Sequence, residues 1–195
     1  MKRIALARLL CITSFIGISF ISIAQPPHPT LQGPYTPVKV GSVIVNGGIG
    51  AGSDYENDYY NSRFGFKAAI EWGILRFGPG VITLGGEVGG SFSNGGYINY
   101  DNYRANTILI GARAAWHYGW QVRGLDTYVG VSGDLGIHHH QYYDAPDNIS
   151  HYSAIAVPGI FVGASYFITQ FFGFNAEVGH DITDFQIGIV IKTRR

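Results

Sequence analysis

Residues 64–74 read Phe-Gly-Phe-Lys-Ala-Ala-Ile-Glu-Trp-Gly-Ile, and the parity of that run decides the fold. Phe64, Phe66, Ala68, Ile70, Trp72 and Ile74 take the even positions; Gly65, Lys67, Ala69, Glu71 and Gly73 take the odd ones. Successive side chains of a strand point to opposite faces. One extended segment therefore carries a wholly apolar face and a face that is either small or charged.

The same parity recurs outward from this run. Ile82, Leu84, Val88 and Phe92 oppose Thr83, Gly85, Glu87, Gly89 and Ser91. Ile108, Ile110, Ala112, Ala114, Trp116 and Tyr118 oppose Gly111, Arg113, Ala115 and His117. Thr127, Val129, Val131, Leu135 and Ile137 oppose Asp126, Tyr128, Ser132, Asp134 and His138. Phe172, Phe174, Ala176 and Val178 oppose Asn175, Glu177 and Gly179, and Phe185, Ile187, Ile189 and Ile191 oppose Gln186, Gly188 and Lys192. With two further segments, the chain reads as strands at 41–52, 64–75, 81–93, 106–118, 125–138, 153–168, 171–180 and 184–193. Every charge in them falls on one side of the alternation. A soluble sandwich or lipocalin-like barrel would bury the apolar face and scatter charge outside. Here the polar face is rich in Gly, Ser and Ala, which suits the narrow interior of an eight-strand barrel. Large aromatics (Phe64, Phe92, Trp116, Tyr118, Phe171, Phe172) end the apolar faces, as interfacial girdles do.

Connections agree. Those at 76–80, 119–124 and 169–170 are short; those at 53–63, 94–105 and 139–152 are long and polar. Tight periplasmic turns and long external loops alternate in this way in outer-membrane barrels. The expected fold is all-β: an eight-stranded antiparallel up-and-down transmembrane β-barrel in a bacterial outer membrane, with both termini periplasmic.

The chain start reads as an export signal. Lys2, Arg3 and Arg8 precede an uncharged apolar run from Leu9 to Ile23, and Ser22 and Ala24 form a small-x-small site before Gln25. That run is short of the roughly 20 residues a spanning helix needs. Residues 1–24 are thus expected to be a cleaved signal peptide, 25–40 a flexible Pro-rich periplasmic lead-in, and 41–195 the barrel. Cys11, the single cysteine, lies within the signal; Leu10 precedes it and most of the apolar run follows it, which is not a lipoprotein acceptor pattern.

Composition narrows the class. Charged residues are only 13% of the chain, against 28 Gly, 13 Tyr and 12 Phe, whereas soluble domains carry about a quarter charged residues. Without the signal's three cations the net charge is close to −3, which gives nucleic acid nothing to bind. No apolar run after Gln25 is long enough for a spanning helix, so a membrane span must be a closed barrel.

Three stretches carry a family resemblance. Asn106–Tyr118 (NTILIGARAAWHY), Leu125–Val131 (LDTYVGV) and Val162–His180 (VGASYFITQFFGFNAEVGH) are similar to the GARAAYHF, LDPYAGL and GARYYFTDNFGVFAEVGYG segments of small outer-membrane β-barrel proteins common in Bacteroidota. These resemble OmpA/OmpX-like eight-stranded barrels in architecture. The resemblance implies an envelope role, an outer-membrane lipid environment and insertion by the barrel-assembly machinery, and it says nothing of an activity. Family members usually end in an aromatic residue read by that machinery, whereas this chain ends Ile191-Lys-Thr-Arg-Arg195.

Lys67, Arg113 and Lys192 share the polar face with Glu71, Glu87, Asp126, Asp134 and Glu177. Confined to a narrow lumen they must pair, which predicts a salt-bridge plug in preference to an ion gate. His138-His139-His140, with His151, Asp144 or Asp147 nearby, invites a metal reading, but adjacent strand residues point apart, so the expectation is an exposed polar loop and no metal or cofactor. His180, Asp181, Asp184, His117 and Ser132 are the residues a lipid-modifying enzyme would draw on, and their spacing is not diagnostic. Tyr55, Tyr59, Tyr60, Tyr97, Tyr100, Tyr103, Tyr142 and Tyr143 make the external loops aromatic, a composition suited to glycan or protein ligands. The expected function is a non-enzymatic, monomeric barrel with a structural or surface-interaction role. The alternatives are a lipid A-modifying barrel enzyme and a soluble β-barrel binding a small apolar ligand. N-terminal sequencing of the protein isolated from membranes is expected to begin at Gln25; a start at Met1 would reject cleavage.

Overall fold

The computed structural model describes residues 35–53, 63–97, 100–142 and 149–193; residues 1–24, expected to be a signal peptide, and most of the expected lead-in lie outside them. Strands run β1 Val43–Gly52, β2 Arg63–Phe77, β3 Gly80–Tyr97, β4 Tyr100–Gly119, β5 Leu125–Tyr142, β6 Ile149–Phe167, β7 Phe172–His180 and β8 Thr183–Lys192. Each pairs antiparallel with its neighbour in chain order, and β8 returns to β1 through pairs such as Val45↔Ile191 and Ile49↔Ile187, closing the barrel. Closure removes the sheet edges along the length over which all eight strands pair. Among the described residues no helix is long and apolar enough to cross a membrane.

The faces follow the parity. Trp72, Ile110 and Leu135 point outward at 59%, 67% and 65% exposure, while Lys67 and Arg113 are buried in the lumen at 1% and 2%. The β2–β3 turn needs a left-handed residue, which Gly78 supplies at φ 58°.

Two expectations about length need correction. Residues 94–105 and 139–152 are not mainly loop: β3 and β4 stay paired out to Tyr97↔Tyr100, and β5 and β6 out to Tyr142↔Ile149. Once a ladder leaves the apolar zone it no longer needs an apolar face, and residues such as Tyr, Ser, His and Ile continue it. These two hairpins stand out from the end opposite the short turns.

The sixth strand carries apolar groups on both faces and no charge on its inward one. Ile155, Val157, Phe161 and Phe167 point inward, and Ala156, Pro158, Ile160, Val162 and Tyr166 point outward. Pro158 lies beyond the last β6–β7 pair, Ile160↔His180, so β6 has only β5 beside it there, a setting that tolerates a missing N–H.

The interior is layered. Val38, Ile44, Val81, Phe167 and Val190 pack at the short-turn end. Leu109, Val157 and Ile182, with Ile155 against them, pack toward the opposite end. Ile182 belongs to the tight β7–β8 turn, and its carbonyl accepts from Ser53 N at 3.2 Å. The charged residues lie between the two apolar layers.

The described part of the lead-in lies against the barrel. Residues 35–42 form a strap across the short-turn end: Tyr35 N donates to Trp120 O (3.1 Å) and Gly41 N to Gly73 O (2.7 Å), while Lys192 Nζ donates to Pro37 O (2.5 Å). Val38 is its apolar anchor. The crossing is so close that a Cβ on Gly73 would lie 2.4 Å from the Lys39 carbonyl oxygen. Pro37 limits the strap's conformations before it docks, which lowers the entropy lost on ordering it.

Val38→Ala should lower the unfolding free energy by roughly 1–2 kcal/mol, for lost methyl burial plus a residual cavity, read as an earlier urea midpoint in detergent micelles. Val38→Asp should expose the strap to protease while the barrel stays folded.

Candidate functional site: the charged lumen

The charged side chains fit the lumen because each stands beside small neighbours. Lys67 lies opposite Gly48 and Gly89, Glu87 opposite Ala69 and Gly111, and Arg113 opposite Gly85 and Ser132. The two large inward rings follow the same rule across the β5–β6 pair, Tyr128 against Gly163 and Phe161 against Gly130. A Cβ on Gly163 would come within 2.4 Å of the Tyr128 hydroxyl.

Arg113 is the hub. Its guanidinium nitrogens lie 3.1 Å from Glu71, 2.8 Å from Glu87 and 2.9 Å from Glu177. Its flat face rests 3.9 Å from the Phe161 ring centroid, so all sides of the cation are occupied. Lys67 pairs with Glu177, with Asp181 at 2.6 Å and with Glu87 at 4.0 Å. The Tyr128 hydroxyl donates to Glu177 at 2.8 Å, and the Thr83 hydroxyl donates to Glu71. Toward the short-turn end, His117 bridges Asp126 at 2.7 Å and Glu71 at 3.3 Å, with its ring stacked on Tyr128. Charges in such a dry site are tolerable only when paired and hydrogen-bonded.

The structure thus joins Lys67, Arg113, Glu71, Glu87 and Glu177 in one network, as their parity predicts. Asp126 joins through His117, and Asp134 accepts from Ser132 at 2.8 Å. Lys192 departs from expectation. It shares the inward parity but lies in the short-turn layer, bound to Pro37 O and 4.9 Å from the Phe167 ring. Parity reports the face of a strand and not the height along the barrel, which is set by strand stagger. Asp181 and Phe161 escaped the sequence reading as lumen residues. Asp181 follows the end of β7, where alternation stops, and Phe161 sits on a strand apolar on both faces.

The residues of an enzymatic reading are not assembled into a relay. His117 and Ser132 engage the carboxylates just named, and Asp181 engages Lys67. At the rim opposite the short turns, the Ser53 hydroxyl (2.8 Å) and the His180 Nδ1 (3.2 Å) converge on the same Asp184 oxygen. That order puts the carboxylate, not the imidazole, beside the hydroxyl, the reverse of what a nucleophile needs.

His138 and His139 diverge, as adjacent strand residues must: His138 turns inward to the Thr107 hydroxyl, and His139 stacks on Tyr152 at 4.2 Å. Among the described residues no group of three or more His, Cys, Asp or Glu side chains is placed to hold a metal ion. Tyr55, Tyr59, Tyr60, Tyr143, Asp144 and Asp147 lie outside the described residues, as do the side chains of Tyr97, Tyr100, Tyr103, His140 and Tyr142.

No family model and no curated protein matches the chain. Among solved structures, it is similar to the N-terminal β-barrel domain of Pseudomonas aeruginosa OprF at 15% identity and a TM-score of 0.45, over 79% of this chain and 98% of that one. It is similar to Ail, the attachment invasion locus protein of Yersinia pestis, at 12% identity and a TM-score of 0.44, over 79% and 96% of the two chains. Neisserial surface protein A aligns at 12% identity and a TM-score of 0.40, over 79% and 94%.

Arg113→Met leaves Glu71, Glu87 and Glu177 facing one another and should cost about 3–5 kcal/mol, seen as a lower urea midpoint. Adding Glu87→Gln and Glu177→Gln should recover part of that loss. An unchanged midpoint in the single variant would reject the hub.

Proposed function

We propose that this chain is an integral barrel of a bacterial outer membrane, built to support the envelope or present surface contacts, without catalysis. One observation carries the reading: the wall is apolar outward and the interior is charged, the inverse of a soluble barrel. Lipid is the solvent that stabilises such a wall. Near the short turns Trp116 stacks on Tyr118, whose ring meets Trp120 edge-on, and Trp72, Tyr166 and Phe174 lie exposed on the same half. This is the amphipathic belt expected at a headgroup level. Phe64, Phe66 and Phe92 supply aromatics toward the other rim.

In this reading the short turns, the strap and both chain termini face the periplasm, and the β3–β4 and β5–β6 hairpins project outside. Their tyrosines suit contact with glycans or proteins. The barrel-assembly machinery inserts the chain, which then stands as a monomer. The family echoes at 106–118, 125–131 and 162–180 favour a barrel of the type common in Bacteroidota. The lumen serves as a structural plug, since apolar layers lie on both sides of the paired charges and the strap covers one end.

Fractionation tests the placement. The protein should stay with outer membranes through salt washes and migrate differently on gels before and after boiling; release by mild salt into the aqueous phase would reject it. Ile110→Lys, outward on β4, should cost about 2–4 kcal/mol if that site lies at mid-membrane. Deletion should leave the lipid A profile unchanged, and an altered profile would favour the enzyme.

A further inference from the structure

Two concavities meet at Tyr166. The first, about 560 Å³, opens at the short-turn end. Its walls include Tyr35 and Pro37 of the strap, Arg123 of the β4–β5 turn, Thr169 of the β6–β7 turn, and Lys192. The two charged groups lining it are cations, Arg123 and Lys192, with no carboxylate among the lining residues. The second, about 650 Å³, is an apolar groove on the outward face. Ala164 and Ala176, directly paired across β6 and β7, form its floor between Tyr166 and Phe174 on one side and Ile187 and Ile189 on the other.

Taken singly, neither feature identifies a ligand. A groove in a lipid-facing wall meets acyl chains anyway, and one cationic recess could take any anion. Their adjacency at Tyr166, which lines both, is the specific observation. A cationic recess at one end of the barrel adjoins an apolar track on its outer wall. That order, anion first and hydrocarbon next, is the order of groups in a phospholipid.

We propose that the joined recess and groove bind one phospholipid from the leaflet at the short-turn end. The inference rests on the membrane placement proposed above. Its phosphodiester lies against Arg123 and Lys192, and one acyl chain follows the Ala164–Ala176 floor. Arg binds phosphate oxygens in a planar fork. Lys192 lines the recess while its Nζ donates to Pro37 O. Because Tyr35 and Pro37 form part of the recess wall, the docked strap is part of the site, and a bound lipid in turn favours the docked strap.

Native mass spectrometry of the folded protein in detergent, titrated with dioleoylphosphatidylglycerol, tests this. Dioleoylglycerol, which lacks the phosphate, and glycerophosphate, which lacks the chains, serve as controls. A discrete one-lipid adduct is expected, weakened about tenfold by Arg123→Gln and by the groove-filling Ala164→Phe. Both controls should bind at least about tenfold more weakly than the intact lipid. Heat-modifiable migration checks the fold of each variant, and Ala176→Phe replaces Ala164→Phe if that one fails to fold. Equal lipid binding by the variants would overturn the site. So would glycerophosphate binding as tightly as the lipid, which marks a free-anion pocket, or dioleoylglycerol doing so, which marks the groove alone. A protein that inserts into vesicles yet shows no selective adduct loses only this proposal, whereas one that does not insert loses the membrane placement.

Discussion

A charge enclosed where water cannot reach must be neutralised by its neighbours, and the interior of this barrel is organised around that requirement. Arg113 meets it most fully, with three carboxylates within 3.1 Å of its nitrogens and an aromatic ring on its face. The positions of glycine follow from the same constraint. An eight-strand lumen has room for an arginine only where adjacent strands give up their side chains, and Gly85 lies beside Arg113 for that reason. The apolar layers at either end keep the network dry, which strengthens each pair within it and raises the cost of losing any partner.

The strap shows how one end of such a cylinder can be finished. A barrel wall satisfies its own backbone, but its end leaves side chains of the last interior layer open. Val38 completes that layer, and the backbone bonds at Tyr35 and Gly41 fix the segment to the β4–β5 turn and to β2. Lys192 belongs to this closure and not to the central network. Its position makes the last strand and the segment before the first strand depend on each other.

Much of this was legible in the sequence, because a period of two is a direct image of the barrel wall. The fate of Lys67, Glu71, Glu87, Arg113 and Glu177 followed from parity alone. Three things were not legible, each for its own reason. Height along the axis depends on stagger, so Lys192 was assigned the right face and the wrong layer. The sixth strand carries apolar groups on both faces, so Phe161 gave no signal of its cation partner. Segments outside the alternating runs, such as Asp181 and Val38, take their roles from tertiary contacts that no local pattern encodes.

The Lys67 ammonium comes from the second strand and its partners Glu177 and Asp181 from the seventh strand and the turn after it, 110 and 114 residues away. These groups lie far apart on an open sheet and meet only when the first and last strands join. Joining that seam turns groups from distant parts of the chain into an internal cross-brace, so the brace exists only where the whole sheet is closed.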